Sequence, residues 1–175
     1  GSPHDWFEGR SPYCTLLVFI DDATGKLLLL EFAPSESTDS YFLTMRHYLG
    51  RNGKPYALYV DRHGVFRVNT TKACTAGTGD SNGLTQFGRA MKELNIGMIY
   101  AKSAEAKGRV EKANETLQDR LVKEMRLKGI NTMEEGNRYL PEFMEMYKRK
   151  FAVVAESPVN MHRQVLPTEN PDTTL

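Results

Sequence analysis

The residues with most to offer chemically lie close together in the second half of the chain. Glu111, Asn114, Glu115 and Gln118 recur at three- and four-residue intervals, so a helix through them carries all four on one face. Lys102, Lys107, Arg109 and Lys112 crowd the same stretch, and Arg120, Lys123, Arg126 and Lys128 extend the positive charge beyond it. Carboxylate oxygens suit a hard divalent cation, and lysine and arginine suit phosphate oxygens. Acid inside a basic frame is what a site needs if it is to hold metal and also attract a polyanion. A solvated amphipathic helix with ordinary i,i+4 pairs has the same composition and is the competing reading. A further acid, Asp61, directly follows the apolar run YALYV over 56–60. It stands at the carboxyl end of an expected strand, where open sheets present site residues, although acids also close strands as plain turn formers.

These side chains need a scaffold, and apolar spacing supplies one. Val110, Ala113, Leu117, Leu121 and Met125 form a stripe of helical period, so the region 100–129 reads as a long helix ended by Gly129. YCTLLVFI over 13–20 and KLLLLEF over 26–32 are continuous apolar runs, expected as strands buried on both faces and joined as a hairpin. Asp21 and Asp22 before Ala23-Thr24-Gly25 read as turn formers between them. Ser37 caps an expected helix carrying Tyr41, Phe42, Met45, Tyr48 and Leu49. A second helix spans 84–94, a short strand 98–100, and Thr132 with Glu135 is a capping box that opens a last helix. Pro141 is expected to kink or restart that helix, since it removes a hydrogen bond at roughly 3 kcal/mol. Residues 62–83 are polar and without period, as in a functional or mobile loop, and His63 reads as a loop histidine.

Bulk composition narrows little. The chain has 175 residues, 40% hydrophobic and 26% charged, with net charge +1, enough for a sizeable core and no argument by itself for any partner. Cys14 and Cys74 have no metal-ligand spacing, and no apolar run approaches the roughly 18–20 residues that span a bilayer. A cytoplasmic protein is the expectation. The element order, strands first and then helices alternating with strands, predicts an α/β fold with a mixed sheet. Ribonuclease H-like and some Rossmann-like folds share that order.

Six segments carry a resemblance to a known family: SPHDWFEGR over 2–10, TLLVFIDDATG over 15–25, YVDRHGVF over 59–66, TQFGRAMKELNI over 85–96, AKGRVEKANETLQDRLVKEMRL over 106–127 and FAVVAESPVNMHR over 151–163. In this order they resemble the retroviral-integrase-type catalytic core of bacterial insertion-sequence transposases, which carries an Asp-Asp-Glu triad. The resemblance implies a ribonuclease H-like fold with a mixed five-stranded sheet, its first three strands antiparallel, flanked by helices. It implies a catalytic core over 1–130 and a C-terminal helix and extended tail, 131–175, packing on that core. It further implies DNA strand cleavage and strand transfer with two Mg2+ or Mn2+ ions per site, DNA as partner, a homodimer or higher assembly, and a nucleoid-associated location. Asp61 and Glu111, the latter in a G-x-x-E turn begun by Gly108, match the second and third metal-binding acids. In relatives resembling this chain the first acid immediately precedes a Gly-Ser-Pro-His-Asp-Trp segment. This chain begins at that Gly, so we expect the first acid just before Gly1, with Asp5 as fallback through a local shift of the strand. Lys102, Lys107, Arg109, Lys112 and Asn114 are the expected nucleic-acid contacts. A catalytically silent DNA-binding or oligomerisation module of the same fold, and a ribonuclease H-like nuclease, are the alternatives.

Overall fold

The computed structural model describes residues 1–60, 64–66, 84–100 and 104–175, with the backbone alone at 104–107 and 109. The chain divides into two compact units, Gly1–Glu36 with Lys107–Pro158, and Ser37–Ala106 with Val159–Leu175.

In the first unit the apolar runs form an antiparallel sheet of β1 (Ser2–His4), β2 (Cys14–Ile20) and β3 (Leu27–Ala33), in that order. The β2–β3 turn is held as its composition demands. The Asp21 carboxylate accepts from the Thr24 amide at 3.1 Å and from the Thr24 hydroxyl, and Gly25 takes the left-handed φ of 67° that closes the turn. Leu16 and Leu17, successive residues on opposite faces of β2, are both wholly buried, so this strand is covered on both sides as its unbroken apolar run requires. Helix α3 (Ala104–Leu127) contributes Leu117, Leu121 and Met125 to one core, and α4 (Met133–Phe151) contributes Tyr139, Leu140 and Phe143. Trp6, Phe7, Leu16, Leu30 and Phe32 are among the residues they pack with. Val110 departs from the expected stripe: it lies two turns before Leu117, beyond the stretch of α3 that this core covers, and is 37% exposed.

The Thr132–Glu135 capping box forms, with the Glu135 amide donating to the Thr132 hydroxyl at 3.2 Å and the Thr132 amide to the Glu135 carboxylate at 3.1 Å. The restart expected at Pro141 does not occur; α4 runs through it. Pro141 sits on the exposed side, where the carbonyl it deprives of a partner can turn to water. The helix meets the sheet at Gly136, where a Cβ would stand 3.0 Å from the Phe32 ring and 3.2 Å from that of Phe7.

The second unit holds α1 (Thr38–Asn52), β4 (Lys54–Pro55), β5 (Ala57–Val60), α2 (Gln86–Glu93), β6 (Gly97–Tyr100), β7 (His162–Arg163) and the single turn α5 (Pro171–Thr174). Ser37 and Thr85 cap α1 and α2, each accepting from an amide three residues on. Asn95, with φ of 53°, turns the chain out of α2. β5 and β6 pair in parallel, Val60 opposite Tyr100. Tyr41, Phe66 and Phe87 pack ring to ring at centroid distances of 4.8–5.9 Å in the core of this unit. The tail docks on it through β4–β7, through a 2.7 Å bond between the Tyr48 hydroxyl and His162 Nε2, and through an ion pair of the buried Lys54 with Glu169. The three antiparallel strands are as expected. Hydrogen bonding among the described residues groups the strands as this triple and two separate pairs.

Candidate metal and nucleic-acid site

The architecture carries the chemistry-bearing residues as follows. Asp61, His63 and Lys102 lie outside the described residues, and for Lys107 and Arg109 only the backbone, in the first turns of α3, is described. β5 and β6 end together, with Val60 opposite Tyr100. Glu111 and Lys112 are exposed on α3, and Asn114 is half-buried.

Hydrogen bonding divides the basic frame of α3 in two. Toward the carboxyl end the cations are occupied: Lys123 with Asp119, Arg120 with Asp119 at 3.4 Å, Arg126 with Glu8 at 2.9 Å and Lys128 with Glu142 at 3.0 Å. Toward the amino end Lys112 has no acidic partner among the described residues, and the Lys112–Glu115 pair that the spacing allows is not formed. Glu111 likewise has no ion-pair partner among them. One turn on, the Asn114 amide oxygen is buried and accepts no hydrogen bond. A buried acceptor left unpaired costs about 1–3 kcal/mol, so it marks a place where a donor or a cation is due. An unpartnered carboxylate and an orphaned amide oxygen one turn apart on a helix are hard donors, the kind magnesium takes, and to that extent the residues present fit a divalent metal. Among the described residues no three acidic, histidine or cysteine side chains gather into a metal-sized cluster.

Asp5 has a different environment. Its carboxylate accepts from the Gly9 amide at 3.0 Å and its carbonyl from the Glu8 amide at 3.2 Å, which fixes the tight turn after β1, where Glu8 has φ of 50°. With His4 and Glu8 it faces Gln118, Val122 and Arg126 across a cavity of about 530 Å³. That places it beside a part of α3 that begins two turns, or about 10 Å, beyond Glu111. Asp21 is a turn former, as its sequence context suggests.

One residue on the polar face of α3 escaped functional assignment from sequence. Gln118 Nε2 donates to the Ser2 hydroxyl at 3.1 Å, while the Ser2 carbonyl accepts from the Trp6 indole at 3.0 Å. The available signal was its position seven residues, two full turns, after Glu111 on one stripe.

Comparison with known proteins gives this arrangement a context. Over nearly its whole length the chain is similar in sequence to two proteins named as transposases, one of them the transposase for an insertion sequence. It is 53% identical over 163 residues to y4bF of Sinorhizobium fredii, a protein named as a transposase, covering 93% of this chain and 35% of that protein. It is 33% identical over 171 residues to the transposase for insertion sequence IS1202 of Streptococcus pneumoniae, covering 94% of this chain and 36% of that protein. The chain thus spans about a third of the length of these relatives. No family model matches it. Among the described residues no helix is long and apolar enough to cross a membrane.

Proposed function

We propose that this chain is the catalytic core of an insertion-sequence transposase, of ribonuclease H-like fold, which cuts DNA at transposon ends and joins the freed 3′-hydroxyl to target DNA. The observation that carries the reading is the amino-terminal half of α3: Glu111 and Lys112, without ion-pair partners among the described residues, and the Asn114 oxygen, without a hydrogen bond among them, stand together in a chain similar to a transposase over 93% of its length. Asp61 and Glu111 supply carboxylate oxygens to the metals. Metal held by these residues would supply activation of the attacking water or 3′-hydroxyl and stabilisation of the leaving oxygen. Asn114 orients Glu111 or accepts from a group on the DNA. Lys102, Lys107, Arg109 and Lys112 bind phosphates, which positions the duplex without reading its sequence. The partners on this reading are transposon-end and target DNA, the working form is a homodimer or larger assembly on that DNA, and the compartment is the bacterial cytoplasm.

The test is nicking of supercoiled plasmid by a chain extended a few residues upstream of Gly1. Metal-dependent nicking that disappears in Glu111→Gln and in Asp61→Asn is expected. Nicking indifferent to either change, or none in any divalent metal, would leave a silent DNA-binding module. Preference for RNA–DNA hybrid over duplex would point to a ribonuclease.

A further inference from the structure

We infer that Gln118 is a positioning residue for the proposed metal site, setting the rotation and axial placement of α3 against β1 so that the Glu111 face is presented along the line of the first strand. The inference rests on the transposase-core reading and adds to it a residue that touches neither metal nor DNA. The segment from β1 into the turn after it follows α3 in the same direction, because Ser2 of β1 meets Gln118 and Glu8, in that turn, meets Arg126 at 2.9 Å. The Arg126 contact is an exposed ion pair, with side chains 55% and 35% accessible, and fixes little. The Gln118 contact is different. Ser2 is 5% exposed, pairs with Leu16 in the sheet, and holds the wholly buried Trp6 through its carbonyl. One bond from α3 therefore ties the helix to a hub that is already locked to the sheet and the core.

Leu117, Leu121 and Met125, all wholly buried, seat the apolar side of α3 on the core, and the Gln118–Ser2 pair at 3.1 Å adds a directional polar constraint on its rotation. Seven residues bring an α-helix back to within about 20° of the same direction, so fixing Gln118 fixes Glu111, with Asn114 between them. A roll that carried Gln118 off Ser2 would turn the Glu111 carboxylate about the helix axis by the same angle. Partners of this kind, which orient a ligand without binding metal, are commonly worth tenfold or more in metal affinity.

Manganese titration of the same upstream-extended chain used for nicking, followed by the paramagnetic resonance of free Mn2+, tests this in four proteins beside the parent. Glu111→Gln checks the underlying site and is expected to abolish specific binding. Ser2→Ala, which removes only a hydroxyl, and Gln118→Leu are each expected to weaken Mn2+ about tenfold, and the double variant no further than either single change. Thermal midpoints should drop by only about 2–4 °C, and the emission of Trp6, the chain's single tryptophan, should stay that of a buried indole. Lower thermal midpoints with parental Mn2+ affinity in both single variants would make Gln118 a merely structural contact and overturn the inference. Parental affinity in Glu111→Gln, or no specific binding in the parent, would instead remove the site itself, and the positioning role with it.

Discussion

Asn137 shows how much one side chain can settle. Among the described residues β3 is an edge of its three-stranded sheet, and the Phe32 amide and carbonyl point away from β2 with no described strand to meet them. The Asn137 side chain fills that gap, its Oδ1 accepting from the Phe32 amide at 2.7 Å and its Nδ2 donating to the Phe32 carbonyl at 3.1 Å. Asn137→Ala leaves both groups unpaired and is expected to destabilise the protein by about 1–3 kcal/mol, read as a lower urea midpoint with unchanged slope; a loss under about 0.5 kcal/mol, the range of neutral surface changes, would show that water serves equally well. Lys112 allows a test of the proposed nucleic-acid surface at the same scale. As an unpaired cation on the Glu111 turn, it should on substitution by alanine weaken DNA binding evenly across sequences and reduce the salt slope by about 1. A Lys123→Ala control, removing a cation already engaged with Asp119, should change the slope less.

At the scale of elements, glycines in helices separate packing from propensity. Gly50 in α1 has open space where a Cβ would go, so Gly50→Ala should stabilise by up to about 1 kcal/mol. Gly136 in α4 faces the Phe32 and Phe7 rings at 3.0 and 3.2 Å, so the same exchange should destabilise by about 1–3 kcal/mol in spite of better propensity. Opposite signs in paired chemical denaturation curves would bear this out, and equal signs would mean that the α4–sheet contact can relax. The sequence made these elements legible where a local signal existed. The β2–β3 hairpin follows from two apolar runs and an Asp-initiated turn, the start of α4 from a capping box, and the end of α2 from Asn95. It was silent where the cause is distant. Nothing in two residues announces that Lys54 and Pro55 will pair with Arg163 and His162, and Pro141 reads as a breaker until its exposed position is known. On α3, the helical placement of Glu111 and Asn114 was legible from spacing, whereas the Gln118–Ser2 bond joins residues 116 positions apart and has no periodic trace.

At the scale of the whole molecule, the first unit's core contains groups that resist ionisation. Burial, with the Asp5 charge adding, pushes the Cys14 thiol up from 9.0 to about 11, and burial pushes the Tyr139 phenol up to about 12 and that of Tyr147 in the same direction. The folded state thus keeps protons that the unfolded chain releases first. Stability is at its full value below the unfolded pKa of these groups and falls as pH rises through the interval between the unfolded and folded values. Thermal midpoints should therefore decline steadily above about pH 9, and a flat profile to pH 11 would mean that these groups are hydrated in the folded protein.

The central claim is that Asp61 and Glu111, fifty residues apart in the chain, hold the same divalent ions. A crystal structure in the presence of manganese, located by anomalous scattering, tests it most directly. We expect a metal peak with carboxylate oxygens of both residues at about 2.0–2.2 Å, close to magnesium-like distances. Ordered Asp61 and Glu111 carboxylates facing different surfaces of the protein, with no metal between them, would contradict the account.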